Sequence, residues 1–97
     1  MFHKVVQVYP TGDYQVFVYF VDGKIKLFNA QELITKGIFK RLQDKNLFIK
    51  ACTVMNDTLA WDLSGKHDPS DCLDLDPEEL YSSCPEVKEP ELPVYKT

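Results

Sequence analysis

Tyr14-Gln-Val-Phe-Val-Tyr-Phe-Val21, then Asp22-Gly23, then Lys24-Ile-Lys-Leu-Phe28 is the stretch that decides the fold class. In the first run Val16, Val18 and Phe20 alternate with Phe17, Tyr19 and Val21, so a strand there has two apolar faces and must lie centrally or under a cover. Asp-Gly between two alternating runs predicts a hairpin, because a two-residue type I′ turn needs positive φ at both central positions. The second run then sends Ile25 and Leu27 inward and Lys24 and Lys26 outward. Upstream, Pro10-Thr11-Gly12-Asp13 breaks the chain, and residues 3–9 read as a further strand with Val6 and Val8 on one face.

Downstream, Asn29-Ala-Gln-Glu32 has the form of a capping box and predicts a helix with Leu33 and Ile34 as its apolar contacts. Gly37 can end it in the left-handed conformation, leaving residues 38–42 for one more turn anchored by Phe39 and Leu42. Residues 44–46 read as a loop, 48–55 as a strand, Asn56-Asp57 as a turn, and 58–63 as the hairpin partner with Leu59, Trp61 and Leu63 on one face. A polar loop and a brief 72–75 stretch follow. Asp76-Pro77-Glu78-Glu79 is a second capping box, with Pro77 preset for the first helical position and three acids at the positive end of the helix dipole. Leu80 and Tyr81 point inward, and Cys84-Pro85 ends the helix. Residues 85–97 hold three of the six prolines and three glutamates. The expectation is a single α+β domain over residues 1–84, with a small, mainly antiparallel sheet of four or five strands and two short helices. Residues 85–97 are expected to form a flexible, acidic, proline-rich tail.

A chain of 97 residues, 44% hydrophobic and 27% charged, is a folding domain and not a multi-domain enzyme or a polyelectrolyte. No apolar run is long enough to cross a bilayer, and the first residues lack the zones of a signal peptide, so a cytoplasmic location is expected. The net charge of −4 is split: residues 1–66 hold nine Lys or Arg against six acids, and residues 67–97 hold two against nine. Such a balance argues against direct nucleic-acid binding; the acidic C-terminal third is explained first by simple solubility and otherwise by a small basic protein partner.

Candidate chemistry is sparse. His67, Cys72 and Cys84 lack the close ligand pair of a structural zinc site, and Asp68, Asp71, Asp74 and Asp76 lack the calcium-loop pattern. Ser64 or Cys72 with His67 has no recognisable nucleophile elbow, and each glycine is isolated, unlike those of a phosphate-binding loop. No catalytic residue, metal or cofactor is therefore expected, nor an enzyme. Three cysteines at wide spacing read as reduced thiols. Trp61 suits a binding hot spot, but its shared face with Leu59 and Leu63 favours the core. Phe17, Tyr19 and Val21 form a second apolar face, either exposed for dimerisation or covered by the C-terminal segment. The candidate interaction surface is Phe17, Tyr19, Trp61, Asp74, Asp76, Glu78 and Glu79. The alternative is a small-molecule or metal-dependent regulatory domain or enzyme using His67 and the acidic loop.

Phe20-Val-Asp22-Gly23, Gly37-Ile-Phe39-Lys-Arg-Leu42, Phe48, Trp61-Asp-Leu-Ser-Gly65, Asp74-Leu-Asp76 and Leu80-Tyr81 together resemble the small bacterial family known as domain of unknown function 2442. The resemblance covers about residues 3–84 and rests on turn and core residues. It implies an α+β domain similar to the N-terminal domain of a Nitrosomonas protein. It also implies, through relatives encoded beside small toxins or fused to helix-turn-helix domains, an antitoxin-like or regulatory accessory role. No DNA-binding segment stands in this sequence.

Overall fold

The computed structural model describes residues 3–63 and 72–88. In chain order the elements are β1 (Val5–Pro10), β2 (Gln15–Phe20), β3 (Ile25–Asn29), two 3₁₀ segments (Leu33–Thr35 and Gly37–Gln43), α1 (Lys45–Ala51), β4 (Cys52–Met55), β5 (Thr58–Asp62), β6 (Cys72–Asp74), α2 (Pro77–Ser83) and β7 (Glu86–Val87). The α+β class is as expected, but the strands divide between two antiparallel sheets, ordered β1-β2-β3-β7 and β4-β5-β6. The division follows from the segment between β3 and β4, which is helical and buries Ile34, Leu42, Phe48 and Ala51. It carries the chain away from the edge of β3 before β4 begins, and β7 takes that edge. The sheets meet where the Val5 N–H donates to the carbonyl of Asp57 at 2.9 Å.

The central strand is as read. Val16, Val18 and Phe20 are buried, and Phe17 and Tyr19 alternate with them on the opposite face. The turn at Asp22-Gly23 differs from the two-residue form. Phe20 and Lys24 close a longer loop, the Lys24 N–H is held by Asp22 Oδ1 at 3.0 Å, and only Gly23 takes positive φ, at 93°. The type I′ geometry occurs instead between β4 and β5, where Asn56 and Asp57 both have positive φ, 53° and 64°. Tyr14 also has φ 61°, so β2 starts at Gln15 and not at Tyr14. That conformation is unfavourable for an aromatic residue. It is offset by the phenol donating to the Gln43 carbonyl, by edge contact with Phe48 at 5.3 Å between ring centroids, and by the Ala30 N–H donating to the Tyr14 carbonyl.

Four local expectations are corrected. A bulge between Val5 and Gln7 puts Val6 out at 57% exposure, so it does not share the face of Val8. Ile25 and Leu27 point outward, not inward: they pair with Tyr19 and Phe17, while Phe28 and Lys26 pair with the buried Val16 and Val18. Lys26 tolerates that face because its ammonium reaches over the Tyr81 ring, 4.8 Å from the centroid. The Asn29 capping box does not form. Asn29 Oδ1 takes the Gln31 N–H in a local turn, and the chain continues as 3₁₀ segments, with Gly37 opening the second at φ 50°. Residues 48–51 belong to α1, not to a strand. Asp44 Oδ1 accepts from the N–H groups of Asn46 and Leu47, and burial recurs at Phe48 and Ala51, one turn apart.

The core joins both sheets, with Trp61, Phe48, Leu42 and Leu59 among its largest enclosed side chains. The second helix stands as read, with Pro77 in the first turn, Leu80 buried and an end at Cys84, but its cap is the single bond from the Glu78 N–H to Asp76 and not the reciprocal box. Glu86 and Val87, expected in the tail, pair with Lys26 and Ile25. Residues 89–97 lie outside the described residues.

Candidate interaction surfaces

Two surfaces emerge from this arrangement. The first is the outer face of the four-stranded sheet. Because directly paired residues share a face, the pairs Tyr9 with Phe17, Phe17 with Leu27, Tyr19 with Ile25, and Ile25 with Val87 bring six apolar side chains together. All are half-exposed and stand opposite the face that carries Val16, Val18 and Phe28 toward the core. Phe17 and Tyr19 were legible in the sequence. Ile25 and Leu27 were missed because the lysines beside them suggested the reverse orientation, and Val87 because its segment reads as tail. Val21 sits in the turn, 61% exposed, outside this face.

The second surface is an open groove of about 290 Å³ between the end of β3, the first 3₁₀ segment and α2. Its apolar lining is Phe28, Leu33, Leu75 and Leu80. Glu32, Asp76, Glu79 and Lys36 border it. Asp76 is placed by the helix start, its Oδ1 taking the Glu78 N–H at 3.0 Å, and Glu79 follows one position after Glu78 in the first turn.

The remaining candidate residues fall elsewhere. Trp61 is fully enclosed, its Nε1–H donating to the Phe48 carbonyl at 3.1 Å, so it is a core residue and leaves the interaction set. Asp74 is exposed on β6 opposite Ala60. Glu78 is engaged within the chain. It accepts the backbone N–H of His3 on Oε2 and contacts His3 Nδ1 through Oε1, both at 2.7 Å. Those bonds, the backbone one foremost, hold its carboxyl below the usual range.

His3 also stacks on Tyr81, with centroids 3.6 Å apart, and the Tyr81 hydroxyl donates to Asp22 Oδ2 at 2.6 Å. The hydrogen bond to Asp22 pushes the phenol up to about 12 and lowers the Asp22 carboxyl. This cluster pins α2 across the β2–β3 turn and the N-terminal residues. The sequence contained no signal for it, since its members lie up to 78 positions apart. The Asp22 and Glu78 carboxylates and the Tyr81 hydroxyl are all engaged within the chain, which is the pattern of a clamp.

The thiols offer little chemistry. Burial pushes Cys52 up to about 12 and also raises Cys84, so both are held as protonated, weakly nucleophilic thiols. Among the described residues no three His, Cys, Asp or Glu side chains are grouped to hold a metal ion, and no helix is long and apolar enough to cross a membrane. His67, with Ser64, Asp68 and Asp71, lies outside the described residues.

Among known proteins, the family model described as "Protein of unknown function (DUF2442)" matches residues 5–86. No curated protein and no solved structure matches the chain.

Proposed function

The chain belongs to the DUF2442 family of proteins of unknown function, and from that premise we propose that it is a cytoplasmic protein-interaction domain without a catalytic role. The observation that carries this reading is the outer face of the four-stranded sheet, where Phe17, Ile25, Leu27 and Val87 stand half-exposed on the side away from the core. An apolar face of this kind is stabilised by burial against another chain. The partner is small and basic, because the chain carries −4 overall and its acids concentrate after residue 67. In its finer form the role is that of an antitoxin-like or regulatory accessory protein.

Affinity capture from the source cells tests it, with wild type, Phe17→Lys/Leu27→Lys and the exposed control Val6→Lys run in parallel. A stoichiometric basic partner retained by wild type and the control, and lost with the double variant, is the expected result. Recovery of the same partner by all three would remove the sheet face from the mechanism.

A further inference from the structure

The acidic groove and the 3₁₀ segment that follows it in the chain are complementary in charge. Immediately after Lys36, the Gly37–Gln43 segment presents Ile38 at 60% exposure, followed by the exposed Lys40 and Arg41. The groove offers an apolar floor under Glu32 and Glu79. Among the described residues, none of Lys36, Lys40, Arg41, Glu32 and Glu79 forms an ion pair within its own chain. We infer that two copies of this chain associate as a symmetric pair in which the Gly37–Gln43 segment of each enters the groove of the other, with Ile38 as the apolar anchor.

Lys36 decides between a closed pair and an open chain of copies. It lines the groove and directly precedes the segment that carries Ile38, so the two complementary patches adjoin on one surface. Adjoining patches let one two-fold axis satisfy both at once, the segment of each copy meeting the groove of the other, whereas a head-to-tail contact leaves one segment and one groove of the pair unfilled. The charges are placed to match: the basic segment of one copy meets the acidic rim of the other, twice over. The C-terminal segment is a poorer occupant, since residues 85–97 carry Glu86, Glu89 and Glu91 against two lysines and would bring further acid to an acidic rim. This surface is separate from the outer sheet face, so it stands or falls independently of the proposed partner binding.

The charges that meet across the pair, Lys40 and Arg41 with Glu32 and Glu79, are exposed, so the association depends on salt. Sedimentation equilibrium of the full chain across the micromolar range tests this at ~0.05 M and ~0.5 M sodium chloride. The expected result is a monomer–dimer equilibrium weakened about tenfold or more at the higher salt, and abolished by Ile38→Asp. Lys40→Glu/Arg41→Glu and Glu32→Lys/Glu79→Lys are each expected to be monomeric alone, because rim and segment then repel. Mixed in equal amounts they should pair again, since each basic surface regains an acidic one, and that recovery shows that both variants are folded. A chain that stays monomeric throughout, a mixture that fails to pair, or a dimer that is lost with Phe17→Lys but kept with Ile38→Asp would each overturn the inference.

Discussion

β2 and β5 are each flanked by strands on both sides, yet they are buried in different ways. Every residue of β5, Thr58 to Asp62, is buried, whereas β2 alternates between enclosed Val16, Val18, Phe20 and half-exposed Gln15, Phe17, Tyr19. In β5 the residues that alternate with Leu59 and Trp61 include Ala60, which fills little space, and Thr58, whose hydroxyl donates to the Leu75 carbonyl at 2.6 Å. In β2 the alternate residues are large aromatics, and their neighbours on β3 are Leu27 and Ile25. The three-stranded sheet is therefore spent on stability, and the four-stranded sheet keeps apolar surface in reserve. The two central strands thus serve different ends because of which residues occupy the second face.

The hardest strike at this contrast is Trp61→Ala. It removes a fully enclosed indole and leaves the Phe48 carbonyl without its donor, so a loss of ~3–5 kcal/mol in urea unfolding is expected. A loss below ~1.5 kcal/mol would mean that the three-stranded sheet is not the structural half. Next in size, Asp44→Ala removes the acceptor for the N–H groups of Asn46 and Leu47 and frees the start of α1. About 1 kcal/mol should be lost, with hydrogen exchange accelerating first at those two amides. Phe17→Ser, by contrast, should cost no more than about 0.5–1 kcal/mol, the worth of its cross-strand contact with Leu27. The same change is expected to weaken capture of the partner, and an unfolding cost near that of Trp61→Ala would show that the outer face is structural after all.

What the sequence disclosed follows the same division. β2, the Asn56-Asp57 turn, β5 and α2 were legible because local pattern and final environment agree there: alternation, paired turn residues, or a cap followed by proline. The errors arose where tertiary contacts overrode local chemistry. Lys26 faces inward because the Tyr81 ring, 55 residues away, receives its ammonium. Asn29 spends its side chain on Gln31, so the helix expected there gives way to 3₁₀ turns. Phe48 could not be assigned to a helix from its neighbours, since Phe48-Ile-Lys-Ala-Cys-Thr-Val54 suits a strand equally well, and only the Asp44 cap separates the two. The groove was half legible: Asp76 and Glu79 were named as acids at a helix start, but that Phe28 and Leu33 would meet them depends on how β3 and α2 pack.

The smallest expected effect separates the halves by pH. The three-stranded sheet is held chiefly by burial of apolar side chains, Leu59, Trp61 and Leu73 among them, whereas α2 is pinned to the four-stranded sheet by exposed contacts that titrate. Asp22 and Glu78 lie below their ordinary carboxyl values when folded, Asp22 chiefly through the Tyr81 hydrogen bond and Glu78 chiefly through the His3 N–H. Their contributions are complete above the unfolded carboxyl range and disappear as pH falls through the lowered values. Tyr81 runs the other way. Its phenol is raised from 10.0 to about 12, so its contribution stands below pH 10 and is lost as pH rises toward 12. Ultraviolet titration of the tyrosines should therefore show a late-ionising phenol, and Asp22→Asn should return that phenol toward its ordinary value while leaving Trp61 fluorescence unchanged. If the late phenol persists in Asp22→Asn, the clamp is not what holds it. If Trp61 fluorescence shifts along with the phenol, the two halves are coupled and the contrast between a buried sheet and a pinned one fails.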